Sequence, residues 1–169
     1  MLKIYNLMEK LEYIEEVATL TQKEWGNKSY SEKQIKEKIL TKISKIKSSF
    51  NNPNYCKLIL LDDDKLVGFI SIFPNDGNEC LDLTPWYSTM FVKPCYRNKD
   101  YSKILNNAIL EEAKKRGLKK LYLKTTLINY YEKFGAIYLK SLSSGENLYY
   151  FDLINENNIS CSKCKYIKK

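Results

Sequence analysis

Between Leu83 and Thr125 the chain can fold in very few ways. "LTPWYSTMFV", residues 83–92, is an aromatic and apolar run that reads as a strand. "YSKILNNAILEEAKKR" then sets Tyr101, Ile104, Leu105, Ala108, Ile109 and Ala113 on one helical stripe, and Gly117 provides a left-handed stop. "LKKLYLKT", residues 118–125, returns to a strand. Two strands joined by one helix lie parallel, with a right-handed crossover. A βαβ unit inside an otherwise antiparallel sheet is the expectation. Pro85 disturbs the start of the first strand, as at a sheet edge or a bulge.

The remaining segments supply antiparallel neighbours. "YCKLILLDDDKLVGFISIF" is two apolar runs joined by Asp62-Asp63-Asp64, a β-hairpin signal. Residues 2–7 suit a short strand, and "AIYLKSL" and "NLYYFDL" form a last hairpin around Ser144-Gly145. Leu11, Ile14, Val17, Ala18 and Leu20 mark a helix over Lys10–Glu24, stopped at Gly26. Ser31 is placed to cap a second helix whose stripe is Ile35, Ile39, Ile43 and Ile46. "LINYYEKFG" reads as a short helix ended by Gly135. The expected fold is α+β: a mixed, mostly antiparallel sheet of six or seven strands flanked by about four helices. One domain is expected over residues 1–153, followed by a polar, basic tail over 154–169.

Of the 169 residues none is histidine, which removes Ser-His and Cys-His nucleophile pairs and His-ligated metals. Any general base must be a perturbed carboxylate, a lysine, a tyrosine, a thiolate or a relayed water. The five cysteines are odd in number and widely spaced, so no disulfide framework is expected. Cys161-Ser-Lys-Cys164 is a lone CxxC without a second pair, and no metal is expected. No apolar run is long enough to span a membrane, and acids interrupt the N-terminal segment where a signal peptide is apolar. A soluble, cytoplasmic protein is the expectation. The "NLYYFDL" strand offers an edge along which two copies would pair as a homodimer.

The net charge of +8 is unevenly spread. From Phe91 to Lys124 ten basic residues face three acids, a local excess of +7. This favours an anionic ligand near the corner "FVKPCYRNKDYSKIL". A strand ending where a helix begins leaves backbone N–H groups unpaired and aimed outward, an anion site to which Arg97 and Lys99 add charge. Nucleic acid is a weaker expectation, because the charge is not interleaved with aromatics in a known RNA or DNA motif.

"MFVKPCYRNKDYSKILNNAILEEAKKRG" resembles the acetyl-CoA-binding motif of the GCN5-related N-acetyltransferases (GNAT), V-x-P-x-Y-R-G-x-G-x-G/A followed by an amphipathic helix. "LYLKTTLINYYEKFGA" is similar to the family's later strand and F-Y-E-K-x-G-F segment, and "YIEEVATLTQKEWG" to its first helix. The resemblance extends in element order over about residues 1–153, with its specific motifs between Leu83 and Ala136. It implies direct acetyl transfer from acetyl-CoA to an amine of a small molecule or peptide. Backbone at Met90, Phe91 and Val92 would hold the thioester, and Arg97, Asn98, Lys99, Asp100, Tyr101 and Ser102 the pyrophosphate. Asn98, Asp100 and Ser102 stand where the family has glycines. Asn and Asp tolerate left-handed backbone best among other residues, but each adds a side chain, and Asp100 a repelling charge. Weakened or shifted cofactor binding is expected, and a member that binds coenzyme A without turnover stays open.

The resemblance makes Tyr131 the general acid. A phenol near pKa 10 facing a thiol near 8.5 loses about 2 kcal/mol on full proton transfer, so a hydrogen bond to the departing thiolate suffices. An α-amine is about one-tenth neutral at pH 7 and needs little help, whereas a lysine acceptor requires a base. Asp82 and Glu79, just before the central strand, are the candidate carboxylates for that role, and Glu24 beside Trp25 is a third. The rings of Trp86 and Tyr87 either line an acceptor groove or fill the core. In this fold the first two helices wall the acceptor site, and their lysine-rich outer faces argue against polycationic acceptors.

Overall fold

The computed structural model describes residues 1–76 and 79–154. Most of the tail, including Cys161 and Cys164, lies outside the described residues. The strands are β1 (Leu2–Asn6), β2 (Cys56–Asp62), β3 (Lys65–Phe73), β4 (Trp86–Val92), β5 (Lys120–Thr125), β6 (Ala136–Ser141) and β7 (Asn147–Asp152). The α-helices are α1 (Ile14–Trp25), α2 (Glu32–Ser49) and α3 (Tyr101–Lys115). They build one sheet in the order β1-β2-β3-β4-β5-β7-β6. Among the described residues only β4 and β5 run parallel, joined through α3 as the strand–helix–strand pattern leads one to expect.

Alternation along the strands explains the layering. Leu58 and Leu60 of β2 enter one core with Leu105, Ile109 and Ala113 of α3. Ile59 and Leu61 point the other way, into a core with Val17 and Ala18 of α1 and Ile46 of α2. A strand covered on both faces reads as a continuous apolar run, and "LILL" is that run. Ser31 caps α2 as expected: its hydroxyl accepts from the Gln34 N–H, and the Gln34 side chain accepts from the Ser31 N–H at 2.9 Å. Such a reciprocal cap is worth about 1 kcal/mol.

β4 carries the irregularity that matters most. It pairs with β3 through Gly68–Val92 and Phe69–Phe91, then through Ser71–Ser88, so Thr89 and Met90 together oppose Ile70. This is a β-bulge, and Thr89 takes φ +50° within it. Gly68 is required here, because a Cβ at that position would meet the Phe91 carbonyl at 2.3 Å. On the other side β4 meets β5 at a single pair, Trp86–Tyr122. The two strands part beyond it.

Several expectations are corrected. α1 starts at Ile14, and Leu11–Tyr13 forms a separate 3-10 turn. "LINYYEKFG" yields only a 3-10 turn at Glu132–Phe134, because Asn129 takes φ +57° and leaves too few residues to nucleate a helix. With three α-helices among the described residues flanking the seven-stranded mixed sheet, the expected fold class nevertheless holds. β4 begins at Trp86 rather than Leu83, since the Leu83 carbonyl accepts from the Trp86 indole at 2.8 Å. Pro85 sits beside a central strand, not an edge; its carbonyl accepts from the Tyr122 N–H at 3.1 Å, and its missing donor is not called upon. The "NLYYFDL" strand is interior, with β5 and β6 on its flanks, so it presents no edge for pairing. The sheet ends at β1 and β6. Among the described residues no helix is long and apolar enough to cross a membrane.

Candidate active site

A groove of about 1060 Å³ runs from residues 90–92 of β4 to the start of α3 and is lined also by Leu127 and residues 130–135 of the segment that follows β5. Met90, Phe91, Val92, Arg97, Asn98, Asp100, Tyr101 and Ser102, all singled out from the sequence, line it together with Tyr131. Lys99 does not line it and is exposed.

The corner keeps the backbone of a glycine-rich loop without its glycines. Pro94–Tyr96 makes a 3-10 turn, Asn98 takes φ +62°, and Asp100 takes φ +58°, ψ +12° as the residue preceding α3. Left-handed backbone costs most residues about 1–2 kcal/mol and Asn or Asp less, since their short polar side chains find local partners. The Asp100 carboxylate makes no capping bond to α3, while the Asp100 carbonyl accepts from Lys103 and Ile104 N–H at 3.0 and 3.2 Å. The N–H groups of Tyr101 and Ser102 precede those bonds and belong to the positive end of the helix. Arg97 turns back, donating from Nε to the Val92 carbonyl at 3.0 Å with its guanidinium 5.9 Å from the Phe91 ring.

A second cavity of about 470 Å³ lies on the other side of Met90 and Tyr131, which line both spaces. Its wall includes Trp25 from the end of α1, Tyr87, Ser88 and Thr89 from β4, and Lys124 and Thr125 from β5. Two carboxylates, Asp76 and Glu146, also line it. Partial burial raises the Asp76 pKa, against the opposing pull of Lys124 and the Ser88 hydroxyl. Tyr131 is held edge-on by Tyr87 at 5.6 Å and Tyr130 at 4.9 Å. Burial first, and the Tyr130 neighbour second, push its phenol up to about 12, so it enters any reaction protonated. Tyr87 is buried, and its hydroxyl donates to Asn106 Oδ1 of α3 at 3.0 Å, which fixes the wall behind Tyr131.

The carboxylates chosen from the sequence fall elsewhere. Asp82 is exposed in the turn before β4 and lines neither cavity. Glu79 accepts from the Ser143 hydroxyl and N–H, bonds that lower its pKa. Glu24 lines the larger groove. Trp86 is core, 1% exposed, whereas Tyr87 serves both core and cavity. Sequence reasoning missed Asp76 and Glu146, which sit in turns without a motif. It also passed over Lys57, a cation inside the apolar run of β2. That residue is 2% exposed, with its Nζ 5.0 Å and 5.4 Å from the Phe69 and Phe73 ring centroids.

Comparison with known proteins identifies the family and the fold. The model of the acetyltransferase (GNAT) family matches residues 12–136. Among solved structures, the PaiA N-acetyltransferase from Thermoplasma acidophilum in complex with coenzyme A is similar at TM-score 0.62 and 24% identity, over 90% of this chain and 99% of that one. An aminoglycoside 6'-N-acetyltransferase complexed with coenzyme A aligns at TM-score 0.67 and 18% identity, over 91% and 98%. YncA from Salmonella typhimurium, with its cofactor acetyl-CoA, aligns at TM-score 0.65 and 12% identity, over 95% and 99%. No curated protein matches the sequence. The family match spans most of the chain, and the chain belongs to the GNAT family of acetyltransferases.

Proposed function

We propose that this chain is an N-acetyltransferase that moves acetyl from acetyl-CoA directly to a primary amine of a small molecule or peptide. One observation carries the reading: the groove ending at the α3 N-terminus and the acid-lined cavity share Met90 and Tyr131. A thioester in the first space and an amine in the second would meet there. Backbone from Met90 to Val92 faces the gap between β4 and β5, where it can receive the thioester carbonyl. The corner amides and the positive end of α3 suit a diphosphate. Tyr131 donates a hydrogen bond to the departing sulfur. Its raised pKa makes it a poor source of a free proton and a reliable donor.

Asp76 and Glu146, rather than Asp82, are the carboxylates beside the second cavity. They attract an ammonium into the second cavity, and Trp25 and Tyr87 offer ring faces and edges beside it. The acceptor class is therefore a cationic amine of modest size. A homodimer remains part of the reading, with the exposed β6 edge in place of β7.

Thiol release from acetyl-CoA, followed over a panel of primary amines, tests the assignment. Release that depends on amine and is lost in Tyr131→Phe is the expected result. A second reading rests on Asp100, whose uncapped carboxylate stands at the helix end that would meet phosphate. If coenzyme A binds but no amine yields thiol, the chain is a binding protein and the transferase assignment is wrong.

A further inference from the structure

Lys57 lies inside the sheet with no carboxylate paired to it among the described residues. Its Nζ is 2.5 Å from the Ser71 hydroxyl and 3.5 Å from Thr89 Oγ1, and the Ser71 and Thr89 oxygens are 2.7 Å apart. Ser71 is fully buried, and Thr89 lines the second cavity. The bulge in β4 makes this chain continuous, since Ser71 pairs in register with Ser88 and yet bonds the side chain of Thr89. A line of three polar groups thus runs from the cavity to an amine that solvent does not reach.

We propose that Lys57, acting through Ser71 and Thr89, is the proton acceptor that deprotonates the incoming ammonium. The inference rests on the acetyltransferase reading. An acceptor ammonium gives a proton to Thr89 Oγ1 as Thr89 passes its own to Ser71 Oγ and Ser71 passes its own to Lys57 Nζ. The cavity then holds a neutral amine and the sheet a lysine ammonium. The amine nitrogen forms its bond to the acetyl carbon as the carbon–sulfur bond breaks. Its second proton leaves for the sulfur by way of the Tyr131 hydroxyl. After the amide departs, Lys57 returns its proton to water through the same hydroxyls.

The surroundings suit a lysine that must be neutral before turnover. The Phe69 and Phe73 rings lie beside its Nζ, Lys42 of α2 adds a like charge, and the neighbouring Cys56 thiol is itself held protonated by burial. Burial, with a smaller part from Lys42 and against the opposing influence of Cys56, lowers the Lys57 pKa to about 7. A relay of that basicity has little to do for an amine that arrives uncharged.

Two acceptors separate this role from a packing role. Benzylamine is protonated at neutral pH and aniline is not. Lys57→Met should lower kcat/KM for benzylamine by roughly 10²-fold and leave aniline within about threefold. Thr89→Val should lower kcat/KM for benzylamine by a larger factor than for aniline, and Thr89→Ser should restore benzylamine, which keeps the test open should the Lys57 variant fold poorly. Equal losses for both amines would overturn the relay. The Lys57 side chain, isotope-labelled and assigned through Lys57→Met, provides a readout independent of turnover. It should titrate near neutrality and shift in Ser71→Ala. Titration in the ordinary lysine range overturns the inference even if transfer is found. Absence of transfer to any amine with Lys57 titrating near neutrality overturns the transferase reading and leaves the proton site standing.

Discussion

Replacing Lys57 with Met exchanges a buried amine for an apolar chain of similar length between Phe69 and Phe73. The size of the effect follows from the lowered pKa. A fall from 10.5 to about 7 means that the folded state resists protonation, and at about 1.4 kcal/mol per pH unit this amounts to roughly 5 kcal/mol at the acid limit. Below about pH 7 both folded and unfolded chains carry the proton, and the penalty is complete. Between about 7 and 10.5 the unfolded chain binds the proton and the folded one does not, so stability rises with pH. Above that range neither state is charged and the penalty is gone. Because Ser71 and Thr89 bond each other, removing the amine orphans neither hydroxyl. Urea unfolding of wild type and Lys57→Met across this pH range should show the variant more stable in acid by a few kcal/mol. Its advantage should shrink by about 1.4 kcal/mol per pH unit above neutrality. Every other titrating group is common to both proteins and cancels in the difference. A difference that stays flat with pH would refute the reasoning.

Restoring glycine at the corner, Asn98→Gly with Asp100→Gly, removes two strained side chains and one negative charge; calorimetry should show coenzyme A binding tightened by about tenfold. Tyr131→Phe should lower kcat by roughly 10²-fold while coenzyme A affinity, measured by the same titration, changes little. Asp76→Asn with Glu146→Gln should raise KM for cationic acceptors and leave that of neutral arylamines unchanged in steady-state assays, with a salt dependence that weakens in the variant.

The scaffold was legible in the sequence because its signals are local. Gly117 stops α3 with φ +73°, Ser31 caps α2, and the strand–helix–strand run fixed the parallel pair. The corner was legible for the same reason, down to the left-handed Asn98 and Asp100. What escaped was tertiary. Asp76 and Glu146 come from turns far apart in the chain and meet only when β4 and β5 are in place. The order β5-β7-β6 is equally silent, since hairpin signals tell which strands pair but not which one docks inward. Lys57 left a trace that periodicity arguments discard: one cation in an otherwise apolar strand, on the face that alternation assigns to the core.

The extra residue of β4 at Thr89 has a cost and a yield that cannot be separated. It lets the strand veer from its parallel neighbour, and it swings a hydroxyl toward the sheet interior. Excising one residue there would return the ladder to strict register. Such a shortened chain would keep its helices and hydrophobic layers yet lose, at a single stroke, the fork in the sheet and the contact of that hydroxyl with Ser71.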